Sequence, residues 1–122
     1  MTITVLCIED EPELREDLVS ELRDMGFAVV EAEDGMAGLA ELARQHIDVI
    51  LCDMQLPRLS GLDLLRQLHG SAGAPPVIML TAFSDPALHD EIMALGAAAV
   101  LIKPADFDDI IALLTKVAAA AG

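Results

Sequence analysis

Basic residues are scarce in this 122-residue chain, which carries 7 Lys and Arg against 21 Asp and Glu, for a formal charge of -14 at pH 7. A surface this acidic repels phosphate backbones, so direct binding of nucleic acid by this chain is not expected. Long apolar runs are missing too, since no stretch approaches the roughly 20 residues that span a bilayer. The start lacks the basic segment and long apolar stretch of a secretory signal, so the expectation is a cytoplasmic protein with no membrane partner. Cysteine is limited to Cys7 and Cys52, which fits a reducing compartment and two buried free thiols better than a disulfide or a metal pair. Repeats and internal linkers are absent, and the length suits one domain with a real core, 1–122, with no effector domain in the chain.

Aliphatic residues are what the chain has in quantity. They gather in five short runs, at 4–8, 27–32, 49–53, 77–80 and 98–102, each of strand length. Amphipathic stretches separate them. After the first run Pro12 suits the opening position of a helix whose stripe is Leu14, Leu18, Leu22 and Met25, ending at Gly26. Asp34 caps a second helix carrying Leu39, Leu42 and Ala43 inward. Ser60 with Asp63 makes a capping-box-like start for a third, bearing Leu62, Leu65 and Leu68. Asp85 and Pro86 open a fourth that closes near Gly96, and Asp106 caps a fifth with Phe107, Ile110, Ile111, Leu114 and Val117 along one side. Five apolar strands alternating with five amphipathic helices predict a doubly wound α/β domain, a parallel sheet covered on both faces.

Four of the five strands end in residues able to do chemistry: Glu9 and Asp10, Asp53, Thr81, and Lys103. Right-handed crossovers bring such ends to one edge of the sheet, where open α/β folds place their sites. Three carboxylates held together raise one another's pKa unless a cation is supplied, and Mg²⁺ with retained waters suits a site that must also admit phosphate oxygens. In-line phosphoryl transfer needs a nucleophile, a metal on phosphoryl oxygens and a second cation. Asp53, the Glu9 and Asp10 pair with Mg²⁺, and Lys103 fill those roles, while Thr81 can donate a hydroxyl hydrogen bond to a phosphoryl oxygen. His46, His69 and His89 are scattered and read as surface residues.

Taken in order, Glu9-Asp10, Asp53 with Leu56-Pro57 and Gly61, Thr81-Ala82, Gly96-Ala97 and Lys103-Pro104 resemble the receiver domain of two-component response regulators, over essentially the whole chain. The resemblance implies the flavodoxin-like strand order 2-1-3-4-5. It further implies a signalling module and not an enzyme proper, phosphorylated on Asp53 by a sensor histidine kinase or a small phosphodonor in a Mg²⁺-dependent reaction. Glu9, Asp10 and Asp53 would supply carboxylate ligands and Gln55 a backbone carbonyl; Lys103 would pair with the phosphoryl group and precede a cis proline. A histidine phosphotransfer protein or a downstream effector is the implied onward partner, and the fourth helix, fifth strand and fifth helix are the implied output face. Two positions depart from the pattern: Val100 stands where relatives carry the aromatic that couples to the threonine, and Ala105 where a bulkier apolar residue is common. A Mg²⁺-dependent phosphohydrolase with an Asp nucleophile is the competing class, but its acid/base carboxylate two residues on is here Gln55. A receiver-like module that only binds partners is the third, against which stands the presence of every charged site position.

Overall fold

A computed structural model describes residues 2–121. Five strands and five helices alternate along the chain: β1 (Thr4–Ile8), α1 (Pro12–Asp24), β2 (Ala28–Ala32), α2 (Gly35–Arg44), β3 (Val49–Asp53), α3 (Gly61–Leu68), β4 (Val77–Thr81), α4 (Pro86–Ala94), β5 (Ala99–Ile102) and α5 (Phe107–Ala121). The strands form one parallel sheet in the order β2-β1-β3-β4-β5. This is the flavodoxin-like order, with β1 and β3 meeting where the winding reverses.

Strand alternation divides the interior in two. Leu6, Ile8, Ile50, Cys52 and Met79 face Leu64, Leu65 and Ile92, the side covered by α2, α3 and α4. Val5, Cys7, Val49, Leu51, Ile78 and Leu80 face Leu18, Leu22, Ile110 and Leu114, the side covered by α1 and α5. β3 and β4 are buried along their whole length because helices cover them on both faces. Cys7 and Cys52 therefore lie on opposite faces of the sheet as buried free thiols. Burial pushes the Cys7 thiol up to about 12, helped by the charges of Glu9 and Glu31, and pushes Cys52 up as well.

The helix starts follow local chemistry. Asp34 accepts from the Ala37 N–H at 2.8 Å, Ser60 from Asp63 at 3.1 Å, Asp85 from Ala87 at 3.0 Å and Asp106 from Asp108 at 3.0 Å. Pro12 opens α1 and Pro86 opens α4. Two inward assignments fail. Met25 is 60% exposed, because α1 ends at Asp24 and the stripe is completed by Val19 instead. Ala43 is exposed, because α2 turns Gly35, Gly38, Leu39 and Leu42 toward the core and leaves position 43 on the outer side.

Candidate functional site

The sheet's carboxyl edge gathers the chemistry. Asp53 is the last residue of β3, and its Oδ2 lies 2.9 Å from Lys103 Nζ while its Oδ1 accepts the Gln55 N–H at 3.3 Å. Glu9 follows β1 and is only 2% exposed. Its Oε2 accepts the Glu11 N–H at 3.2 Å, and its Oε1 lies 3.3 Å from Lys103 Nζ. The main chain holds it on both sides, its N–H donating to the Ala32 carbonyl at 3.0 Å and its carbonyl accepting from the Arg15 guanidinium at 2.7 Å. Asp10 is exposed, yet carboxylate oxygens of Glu9, Asp10 and Asp53 all lie within 4.8 Å of one another. Thr81 ends β4, its hydroxyl oxygen accepting the Phe83 N–H at 3.1 Å and its carbonyl accepting the Lys103 N–H at 2.7 Å. The Lys103-Pro104 peptide is cis.

Burial pushes the Glu9 carboxyl up to about 7, and the charge of Asp53 and a hydrogen bond with Asp10 add to the rise, against the Glu11 N–H and Lys103 that lower it. Burial works against the Lys103 ammonium, but the hydrogen bond and charge of Asp53 and the charge of Glu9 prevail and raise it above its ordinary value. One ammonium thus contacts two carboxylates, Glu9 and Asp53, of a cluster of three. An all-oxygen, net anionic cluster with one exposed member fits a hard divalent cation that keeps part of its water shell.

Every residue expected at the site from the strand ends is therefore within reach of this edge, with Gln55 attached through its N–H to Asp53. The histidines His46, His69 and His89 are exposed: His46 pairs with Asp48 at 2.7 Å, and His89 lines the cavity that Thr81 also borders. Val100 is half-buried and lines a cavity of about 270 Å³ with Thr81, Phe83, Leu88, Ile92 and Ile102. Ala105 borders a second, apolar hollow of about 430 Å³ between α1 and α5, with Lys103 as its charged member. Gly61 is needed where α3 begins, since a Cβ there would meet the Asp53 carbonyl oxygen.

Two arginines escaped the sequence reading. Arg15 lies on α1 and ties the Glu9 carbonyl to Glu31, 3.4 Å from its Nε. Its position one turn after Pro12 was the available signal. Arg58, in the loop after Asp53, pairs with Asp34 at 3.4 Å, a contact between loops that no local pattern announces.

Comparison with known proteins gives the family and the fold. The family model described as the response regulator receiver domain matches residues 5–115. The chain is 36% identical over 111 residues to TcrX of Mycobacterium tuberculosis, a probable transcriptional regulatory protein, covering 89% of this chain and 47% of that one. It is 38% identical over 109 residues to the transcriptional regulatory protein PdtaR of the same species, covering 88% of this chain and 52% of that one. The chain spans about half the length, or less, of the curated relatives it matches. Among solved structures, the receiver domain of the Francisella response regulator 1452 superposes with a TM-score of 0.94 at 25% identity, over 99% of this chain and 100% of that one.

Proposed function

The chain belongs to the response regulator receiver family of two-component signalling, and on that premise we propose that it is a phosphoacceptor module in which Asp53 takes a phosphoryl group from a sensor histidine kinase or a small phosphodonor. The observation that carries this reading is the contact of one ammonium, Lys103 Nζ, with both Asp53 and the buried Glu9, beside a third carboxylate. In the transfer a bond forms between an Asp53 oxygen and phosphorus as the donor's bond to phosphorus breaks. Lys103 sits 2.9 Å from the attacking carboxylate and is placed to follow the new negative charge. Thr81 uses its hydroxyl oxygen to accept from Phe83, which leaves its proton free for a phosphoryl oxygen.

Glu9, Asp10, Asp53 and the Gln55 backbone carbonyl are the residues we assign to Mg²⁺. When bound, the ion supplies the positive charge that lets three carboxylates and phosphoryl oxygens share one site. The setting is cytoplasmic, and no helix of the described residues is long and apolar enough to cross a membrane. Phosphorylation adds a dianion beside Lys103, which shifts the loops around the site and so the surface offered to a histidine phosphotransfer protein or an effector. The relatives' names speak of transcriptional regulation, and DNA contact in a longer protein would fall to its other segments, since this stretch carries a charge of -14.

The test is intact mass after incubation with Mg²⁺ and acetyl phosphate. One phosphoryl adduct is expected in the native chain and none in Asp53→Asn. An undiminished adduct in the variant would overturn the assignment, and rapid turnover of an unrelated phosphoester would instead favour a phosphohydrolase.

A further inference from the structure

Among the described residues, Arg58 is the one non-glycine position with a left-handed backbone, at φ +66°. Glycine adopts that conformation freely and a branched or long side chain does not, so an arginine there is held by its surroundings. The turn closed by the Leu59 N–H on the Pro57 carbonyl sets that angle, and the arginine side chain it presents pairs with Asp34. The Asp34 side chain is 4% exposed; its Oδ2 lies 3.4 Å from Arg58 Nε and its Oδ1 accepts the Ala37 N–H at 2.8 Å. A second contact lies alongside, because a Cβ on Gly35 would collide with the Leu59 carbonyl oxygen. Loop 54–60 is thus pressed on the start of α2 at two adjoining points. Its own turn is closed by Leu59 N–H to Pro57 at 2.7 Å and Gly61 N–H to Met54 at 3.0 Å, and its first residues reach Asp53 through the Gln55 N–H.

An ion pair whose arginine is 66% exposed adds little to stability, and a strained backbone subtracts from it. Stability alone therefore does not account for Arg58. We infer that the Arg58–Asp34 pair is a positioning device for the phosphoacceptor, clamping loop 54–60 on α2 so that the main chain of Gln55 stays against Asp53. The inference rests on the reading of Asp53 as phosphoacceptor, and Arg58 acts through the loop without touching the reacting atoms.

The experiment compares the whole chain with Arg58→Gly, Arg58→Lys, Asp34→Asn and the Arg58→Gly/Asp34→Asn double variant. Arg58→Gly relieves the backbone, while Asp34→Asn keeps a capping oxygen for α2 and removes the charge. Two quantities are read: amide exchange at Gln55 and Leu59, and the rate of adduct formation with Mg²⁺ and acetyl phosphate. Arg58→Gly and Asp34→Asn should each speed loop exchange and slow adduct formation by roughly fivefold, with the thermal midpoint of Arg58→Gly unchanged or higher. The double variant should be no worse than either single one, because both break the same contact, and Arg58→Lys should stay near the native chain. Native exchange and native rate in Arg58→Gly, or additive losses in the double variant, would overturn the inference. If the native chain takes up no phosphoryl group, the phosphoacceptor reading fails by itself, and the exchange data still decide whether the clamp exists.

Discussion

Glu9 carries an electrostatic cost that the rest of the site is arranged around. Its carboxyl sits at about 7, against an ordinary value of 4.5, chiefly through burial. Without metal, the native state then holds this proton more tightly than the unfolded chain. The stability it contributes is full below 4.5 and is lost as pH rises through about 7. Glu9→Gln should therefore make the metal-free protein more stable at pH 8, by about 1 kcal/mol after the lost contact to Lys103 is allowed for. At pH 5 the gain should vanish. Urea unfolding in EDTA at the two pH values measures it, and a less stable variant at pH 8 would contradict the sign. Lys103 follows the same sign at higher pH: its raised pKa means its contribution is present below 10.5 and lost as pH climbs through its folded value. Lys103→Met, which leaves Glu9 and Asp53 facing each other uncompensated, should cost about 2 kcal/mol at pH 7, again by urea unfolding.

Among the elements, β1 shows how a loop residue fixes a strand. Asp48 lies just before β3, accepts the Thr4 N–H at 2.8 Å with its Oδ2, and returns its own N–H to the Thr4 carbonyl at 2.9 Å. The Thr4 N–H holds the Asp48 carboxyl below its usual 3.8, against a smaller opposing effect of burial and with help from His46. A depressed pKa gives stability that is present above 3.8 and lost as pH falls through the folded value. Asp48→Ala should thus cost about 1 kcal/mol at pH 7, shrinking as pH falls below 3.8, read as the difference between urea curves at each pH. The caps of α2, α3, α4 and α5 were legible beforehand because Asp34, Ser60, Asp85 and Asp106 act on N–H groups two or three residues away. Met25 and Ala43 were misplaced because the ends and edges of a helical stripe depend on where the helix stops and which small residues, Gly35 and Gly38, meet the sheet. The Arg58–Asp34 contact was beyond reach, since it joins two loops across 24 positions through a backbone angle that sequence does not display.

At the scale of the whole molecule, alternation of apolar runs sufficed for a doubly wound sheet, and the charged strand ends sufficed for a site at one edge. The order of the strands came from family resemblance, because periodicity does not say which parallel strand lies beside which. Net charge adds a property that no single element has. With 21 acidic groups against 7 basic ones, the folded chain repels itself, and salt should stabilise it by screening. A cation held by the carboxylate cluster of Glu9, Asp10 and Asp53 should stabilise it in a different way, by mass action on the native state alone. The two separate cleanly at constant ionic strength. Replacing NaCl by MgCl₂ should raise native stability logarithmically once the free ion passes its dissociation constant, by about 1 kcal/mol at fivefold excess. Asp53→Asn should respond to NaCl as the native chain does and lose most of the Mg²⁺ increment. Thermal melts across both titrations measure this, and equal responses to the two salts would mean that the cluster holds only the diffuse counterions any acidic surface attracts.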